Sequence, residues 1–330
     1  MGLLARELGA EEDLARLIVP NSTVKMKLMR AALLSKEFST LKSYFCHFGK
    51  WKHFALGNGF KVFPADKEIF SLFLVENVSL AYGSLKICVA AVSFFHKVFN
   101  FPCPVGSNSM INGYVEKFSR KPKVVRNPLL VEHMEAVFNY FDFDKCSLYH
   151  LRTIGFMVLG FFGFLRFSDF VNLRVCDIVF DQAKLVIKIP KSKTGFGQQV
   201  VFDLSSFPAS FMEIFFRRFR FFEYSSDFYL FMAMRKYGKD KLMLYRDTKC
   251  SYNAASTALK TVLGLVGVSD PTLKLHSLRI GGATEASRLG VPDFKISRNG
   301  RWKSDSSRTL YQRDPGIGVD SISMVLSREF

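Results

Sequence analysis

Apolar residues recur at intervals of three and four over most of the chain, the spacing that lays one stripe along a helix. In residues 22–48 the stripe runs through Val24, Leu28, Ala31 and Ala32, then Leu41, Tyr44, Phe45 and Phe48. The same spacing predicts helices over 66–81 and 84–99, the latter through Leu85, Val89, Val92, His96 and Phe99. His96 sits on that stripe, where a histidine satisfied by core hydrogen bonds is a simpler reading than a ligand. Two more helices are predicted over 130–141 and 148–164. The second contains an apolar run of twelve residues, 154–165, flanked by Arg152 and Arg166. A membrane span needs about 20 such residues, so this helix is expected to be buried in protein.

The period then changes. Residues 175–181, 184–190 and 198–204 are short runs rich in Val and Ile, which predict three strands. Asp181 and Gln182 join the first pair, and KSKTGFG, a Lys- and Gly-rich hairpin loop, joins the second. Helical spacing resumes from about Ser206 to the end. The expected class is mainly α with a small antiparallel β-sheet, an α+β fold.

A chain of 330 residues has room for two domains. The clearest boundary is SRKPKVVRNP, which is basic, carries Pro122 and Pro128, and has little to bury. It divides the chain into a tail or extra helix (1–20), a helical domain (21–118), a basic linker (119–129), a larger domain (130–314) and a tail (315–330). Lysines recur between the apolar stripes of the first domain, at Lys25, Lys27, Lys36, Lys42, Lys50 and Lys52, giving that bundle a basic face.

Charge narrows the function. Lys and Arg number 46 against 29 acids, a net of +17 with a pI near 9.6. Both parts are basic: 18 against 9 up to Leu129, 28 against 20 beyond it. Such a field favours a polyanion, and nucleic acid is the usual one. The six cysteines are scattered, with no CxxC pair and no histidine cluster, so neither a zinc site nor a disulfide framework is expected. The opening MGLLARELGAEEDL carries acids where an export signal needs a basic and then an apolar stretch. An intracellular protein with no membrane partner is expected.

Four separated places hold the candidate chemistry. Arg166 closes the buried run in GFLRFSDF and must reach solvent or a partner, and Asp169 is three residues on. Lys191 and Lys193 lie at the hairpin tip. His276 and Arg279 share one side of a helix start in LHSLRIGGATEASRLG, where Gly281, Gly282 and Ala283 leave room for another backbone. In GRWKSDSSRTLYQRD, Trp302 is followed nine residues later by Tyr311, among Arg301, Lys303, Arg308 and Arg313. Each has a plain alternative when taken singly: an ion pair, a solvated turn, a core aromatic, a charged surface.

In the order Arg166, Lys193, His276, Arg279, Trp302, Tyr311, these residues resemble the catalytic set of the tyrosine site-specific recombinases, or phage-type integrases. The HxxR pair, the 23 residues from Arg279 to Trp302 and the 9 from Trp302 to Tyr311 carry the resemblance. It covers roughly residues 20–315. The wording HSLRIGGAT, GVPD and GRWKSD is most similar to recombinases of eukaryotic Crypton- and DIRS-like mobile elements.

The resemblance implies a helical core-binding domain and a catalytic domain forming a clamp on double-stranded DNA. Tyr311 would be the nucleophile, giving a 3′-phosphotyrosine and a free 5′-hydroxyl. Arg166 and Arg279 would clamp the phosphoryl oxygens, and Lys193 would protonate the leaving oxygen, with Lys191 at the same tip as the alternative acid. His276 would bond the phosphate or relay the nucleophile's proton. Asp169 would orient Arg166 or His276, and Trp302 would give a hydrogen bond and packing. No metal, ATP or other cofactor is implied. Lys121, Lys123, Arg126, Arg301, Lys303 and Arg308 are candidates for DNA-backbone contacts. The tail, with a small stripe of Ile322, Val325 and Leu326, would dock on a neighbouring subunit, giving a tetramer on paired DNA sites from a free monomer or dimer. A eukaryotic element together with the basic linker would imply a nuclear location. Two other functions remain open: a DNA-binding protein that keeps the clamp without the activity, and a type IB topoisomerase.

Overall fold

The computed structural model describes residues 23–104, 109–120, 126–192, 195–223, 227–237, 241–302 and 304–309. Tyr311, Lys193, Lys303, Lys121, Lys123 and both termini lie outside the described residues, as does the side chain of Lys191. The chain divides into two compact units between Lys123 and Val124.

The first unit is helical: α1 (Thr23–Leu34), α2 (Phe38–Gly57), α3 (Lys67–Glu76), α4 (Tyr82–Val98) and α5 (Ser109–Ser119). The helical spacing of residues 22–48 is carried by two helices. Ser35 Oγ turns back to the Ala32 carbonyl, and Glu37 takes extended backbone that starts α2. Asn77 stops α3 short of residue 81 by donating its side-chain amide to the Phe73 carbonyl at 2.8 Å. Trp51, Phe70, Phe73, Leu85, Cys88 and Val92 form the core, with the Trp51 and Phe70 rings edge to face at 5.2 Å. His96 is fully buried: its Nε2 accepts from the Ala65 amide at 2.9 Å, so Nδ1 carries the proton and donates to the Val92 carbonyl at 2.8 Å. It is the satisfied core histidine that its stripe position predicts.

The second unit begins with α6 (Val131–Tyr140) and α7 (Leu148–Phe161), the latter capped by Ser147 and buried from Leu151 onward. The expectation that α7 reaches residue 164 is corrected. The helix stops at Phe161, Phe164 takes left-handed backbone (φ 49°), and Arg166 is extended and opens the short α8 (Phe167–Phe170). Arg166 therefore starts a helix instead of ending one.

The antiparallel sheet has the order β1 (Ile178–Phe180), β2 (Lys184–Ser192), β3 (Gly195–Asp203). Its first strand is shorter than the run 175–181. Asp177 accepts the Arg174 amide at 2.8 Å and curls Val175–Asp177 into a 3-10 turn. The KSKTGFG loop, in contrast, is mostly strand, with Lys191 paired to Phe196 and Ser192 to Gly195.

After α9 (Phe207–Phe219) the uniform helical expectation fails again. A hairpin of β4 (Met232–Tyr237) and β5 (Lys241–Lys249) stands there, with Met234 and Leu244 turned to the core. Buried Arg152 of α7 donates to the Met232 carbonyl at 2.8 Å and holds the base of this hairpin. Then follow α10 (Tyr252–Leu265), α11 (Leu275–Arg288), α12 (Asp293–Gly300) and α13 (Asp305–Thr309).

The contact of α11 with α7 positions the site. A Cβ on Gly281 would stand 1.9 Å from the Leu129 carbonyl oxygen, and one on Gly282 2.0 Å from that of Phe161. Only glycine allows backbones this close, which is the use that the GGA segment predicts. Among the described residues, no helix is long and apolar enough to cross a membrane. None of the six cysteines is in a disulfide.

Candidate active site

The turn between α7 and α8 is the hub. The Phe164 carbonyl accepts from Arg279 Nη1 and, at 3.0 Å, from Arg301 Nη2. The Gly300 carbonyl accepts from Arg279 Nη2. Arg279 is fully buried, and these two neutral carbonyls orient its guanidinium. It also lies 4.6 Å from the centre of the Trp302 ring.

Asp169 is the site's buried carboxylate, 1% exposed. Its Oδ2 accepts from the Arg166 backbone amide at 3.2 Å, and it pairs with Arg301 Nη2 at 3.4 Å and with Arg166 Nη1 at 3.7 Å. The last separation is long for a hydrogen bond. Arg166 Nη1 is buried, and among the described residues it makes no hydrogen bond. One carboxylate therefore serves two cations, with a third, Arg279, alongside. The set keeps net positive charge, and an anionic oxygen is what such a set would hold.

His276, half-buried in the first turn of α11, has its pKa pushed down to about 4. Burial is the largest cause, followed by the positive charges of Arg279, Arg126 and Arg166. Its imidazole is neutral at pH 7, so its ring can accept a hydrogen bond or a proton.

Trp302 folds back over the end of α12 beside Phe164, Ala283 and Ile296. A Cβ on Gly300 would stand 2.0 Å from its ring. Between them Arg301 has φ 55° and ψ 38°, a left-handed cap where glycine is the usual residue. For a residue with a Cβ this conformation costs about 1 kcal/mol or more.

The structure thus brings Arg166, Asp169, His276, Arg279 and Trp302 together around one turn. It places two of the expected DNA-backbone residues differently. Arg301 is buried, and its Nη atoms bond to Asp169, Phe164 O and Asn299 O, the last at 3.1 Å. Its charge faces the site, which corrects its reading as a surface contact. Arg308 is largely covered and paired with Asp293 at 3.0 Å and Asp305 at 3.2 Å, so it is committed within the fold. Arg126 is exposed. Among the described residues no group of His, Cys, Asp or Glu could hold a metal ion. Sequence reasoning missed the Phe164 carbonyl and the inward turn of Arg301. The only signal for the latter was its place between Gly300 and Trp302.

No family model matches the chain. It is 22% identical over 323 residues to an integrase/recombinase xerD homolog of Selenomonas ruminantium, covering 91% of this chain and 89% of that protein. Its fold is similar to that of the XerH site-specific recombinase bound to difH substrate in a pre-cleavage complex. There the TM-score is 0.57 at 12% identity, over 87% of this chain and 78% of that one. It is also similar to a lambda integrase tetramer bound to a Holliday junction, with TM-score 0.56 at 17% identity over 94% and 83%. The chain has the fold shared by these recombinases: mostly helix, with small antiparallel sheets.

Proposed function

We propose that this chain is a tyrosine recombinase, an enzyme that cuts and rejoins DNA strands at defined sites through a covalent 3′-phosphotyrosine intermediate. The observation that carries the reading is the gathering of Arg166, His276 and Arg279 around the Phe164–Asp169 turn, in a chain of this fold. Phosphoryl transfer is catalysed mainly by positioning and by charge aimed at the phosphoryl oxygens. Two arginines supply that charge in a fixed fork geometry that lysine lacks.

In the forward step the Tyr311 hydroxyl attacks the scissile phosphorus. A P–O bond forms to tyrosine, and the bond to the 5′ oxygen breaks. Neutral His276 hydrogen-bonds the phosphate or takes the phenolic proton. Lys193 or Lys191 gives a proton to the leaving 5′ oxygen. Attack by the 5′-hydroxyl of a second strand reverses the step and releases Tyr311. The phosphodiester energy stays in the tyrosine link, so no ATP is consumed.

The finer identity is that of a mobile-element recombinase of Crypton or DIRS type, supported by HSLRIGGAT, GVPD and GRWKSD. Its work is integration, excision or inversion of an element in the nucleus, supported by the basic segment around residues 119–129. A tetramer on two paired sites is its working assembly, as for the lambda integrase tetramer on its junction. The tail stripe Ile322, Val325 and Leu326 serves as the link between subunits.

An SDS-resistant adduct assay tests the chemistry, using DNA from both ends of the native locus nicked near candidate sites so that religation is blocked. Wild type should form a covalent band, and Tyr311→Phe should bind equally and form none. A persistent band in the variant would move the nucleophile elsewhere. Specific binding without any band would favour a binder that has no strand-transfer activity. Cleavage of plasmid without a defined site would favour a topoisomerase. Arg279→Ala should lose about 10² or more in single-turnover rate with modest loss of binding; near-normal cleavage would sink its clamp role.

A further inference from the structure

We infer that Arg301 is a positioning residue for strand cleavage: it holds the Asp169 carboxylate and the Phe164 carbonyl where they aim Arg166 and Arg279 at a phosphate. The inference rests on the recombinase reading above. Two unfavourable features have to be explained at this one position. A residue with a Cβ occupies left-handed backbone that glycine adopts freely, and its charge is buried, 5% exposed. Burial acts against its protonated form, pushing its pKa below the usual arginine value, while Asp169 supports it. Packing alone gives no reason for a guanidinium here, since glycine would relieve the backbone and remove the buried charge.

The contacts supply the reason. Arg301 Nη2 reaches Phe164 O at 3.0 Å and Asp169 Oδ2 at 3.4 Å. Each of these acceptors also serves an arginine of the proposed clamp. Phe164 O accepts from Arg279, and Asp169 faces Arg166. By sharing the carboxylate, Arg301 keeps Arg166 in a loose pairing of 3.7 Å and leaves most of that charge for the substrate. Without Arg301, Asp169 would keep Arg166 as its sole paired cation among the described residues and would draw it into a closed ion pair. Arg301 itself, buried and bonded to carbonyls, acts through these partners.

The test compares the full-length wild type with Arg301→Gly and Arg301→Lys on the nicked DNA substrate. Glycine suits the backbone, so the fold should be kept; lysine keeps a charge but loses the planar guanidinium, whose Nη1 bonds Asn299 O while Nη2 spans Phe164 O and Asp169. Single-turnover cleavage at saturating DNA should fall about 10- to 100-fold in Arg301→Gly while Kd for DNA changes by no more than about twofold, with Arg301→Lys intermediate. In an Asp169→Asn background, Arg301→Gly should add little. Unchanged cleavage in a folded Arg301→Gly protein would overturn the inference. So would a loss that only tracks thermal midpoint or DNA affinity, or full multiplication of the two defects.

A second readout needs no cleavage and separates this inference from the recombinase reading. If wild type forms no Tyr311-linked adduct, that reading fails, but His276 can still be titrated by NMR in the DNA-free protein. Closing Arg166 onto Asp169 in Arg301→Gly should weaken the positive field on His276 and raise its pKa above that of wild type. An unmoved His276 would overturn the positioning role.

Discussion

His276 carries a pH signature that follows from its surroundings. Its folded pKa of about 4 lies below the ordinary histidine value of 6.5. Between those values the unfolded chain binds a proton that the folded chain refuses, so stability falls as pH drops through that window. The loss for this one group is on the order of 2 kcal/mol. In urea unfolding monitored from pH 7 to 4, His276→Gln should flatten the decline without abolishing it, because burial also lowers the pKa of His96. A bound phosphodiester changes the balance, since its negative charge opposes the field of Arg279, Arg126 and Arg166. Its pKa then rises on binding, and DNA affinity should gain a few-fold between about pH 7 and 5.5 in wild type relative to His276→Gln. Equal pH dependence in the two proteins would show that no phosphate sits beside this ring.

His96 offers a simpler residue-scale check. Its Nε2 is the acceptor for the buried Ala65 amide. His96→Phe preserves a ring but leaves that donor unsatisfied, at about 1–3 kcal/mol of stability for the first unit, read from its thermal midpoint. At this scale the residues gathered around the Phe164 turn were legible because spacing and residue type carry them: Arg166 in GFLRFSD, the HxxR pair of His276 and Arg279, and Trp302. Arg301 was not. Its sequence context is a run of basic residues, and it is turned inward by the Phe164 carbonyl and Asp169, 137 and 132 positions away.

At the scale of elements, the α7–α11 contact is the most demanding join. Gly282→Ala would drive a Cβ to 2.0 Å from Phe161 O of α7, and backbone cannot yield as a side-chain tip can. We expect a loss of about 3 kcal/mol or more, with α11 pushed away from α7 and cleavage lost with it. Gly264→Ala, near the end of α10, meets nothing within 4 Å and should stabilise by about 0.5–1 kcal/mol. Denaturant midpoints of the two variants should move in opposite directions. The GGA segment announced this join because a run of small residues inside a helix leaves room for another backbone. The three-strand sheet was legible from its β-branched runs: Leu185, Ile187 and Ile189 alternate inward along β2, and Ile187 faces Val200 of β3. The hairpin of β4 and β5 was hidden because MAMRKY and KLMLYRDTK are rich in Met, Leu and Lys, residues equally at home in helices. Its strand form comes from tertiary anchors, among them Arg152 on the Met232 carbonyl. The stop of α7 at Phe161 was hidden too, since hydrophobic spacing continues through Phe162, Phe164 and Leu165 while the backbone turns left-handed at Phe164.

At the scale of the whole molecule, a net charge of +17 makes DNA affinity a function of salt. A protein that neutralises roughly 6–10 phosphates loses about 10³–10⁵ in affinity between 50 and 200 mM salt. The magnitude of that slope counts the cations that touch phosphate, and the structure divides the candidates. Arg126 is exposed and contributes to the field on His276, so it lies near the proposed phosphate and is free to meet backbone. Arg126→Ala should weaken binding across sequences and reduce the salt slope by about one. Arg308 is equally basic in the sequence, but Asp293 and Asp305 already hold it, with its side chain 14% exposed. Arg308→Ala should therefore leave the slope unchanged and appear instead as a lower thermal midpoint. It removes the tie of α13 to the start of α12, the segment that carries Gly300, Arg301 and Trp302. Filter binding at four or five salt concentrations, run beside thermal melts, separates the two effects. A reduced slope for Arg308→Ala would mean that the Asp293 pairing opens when DNA binds.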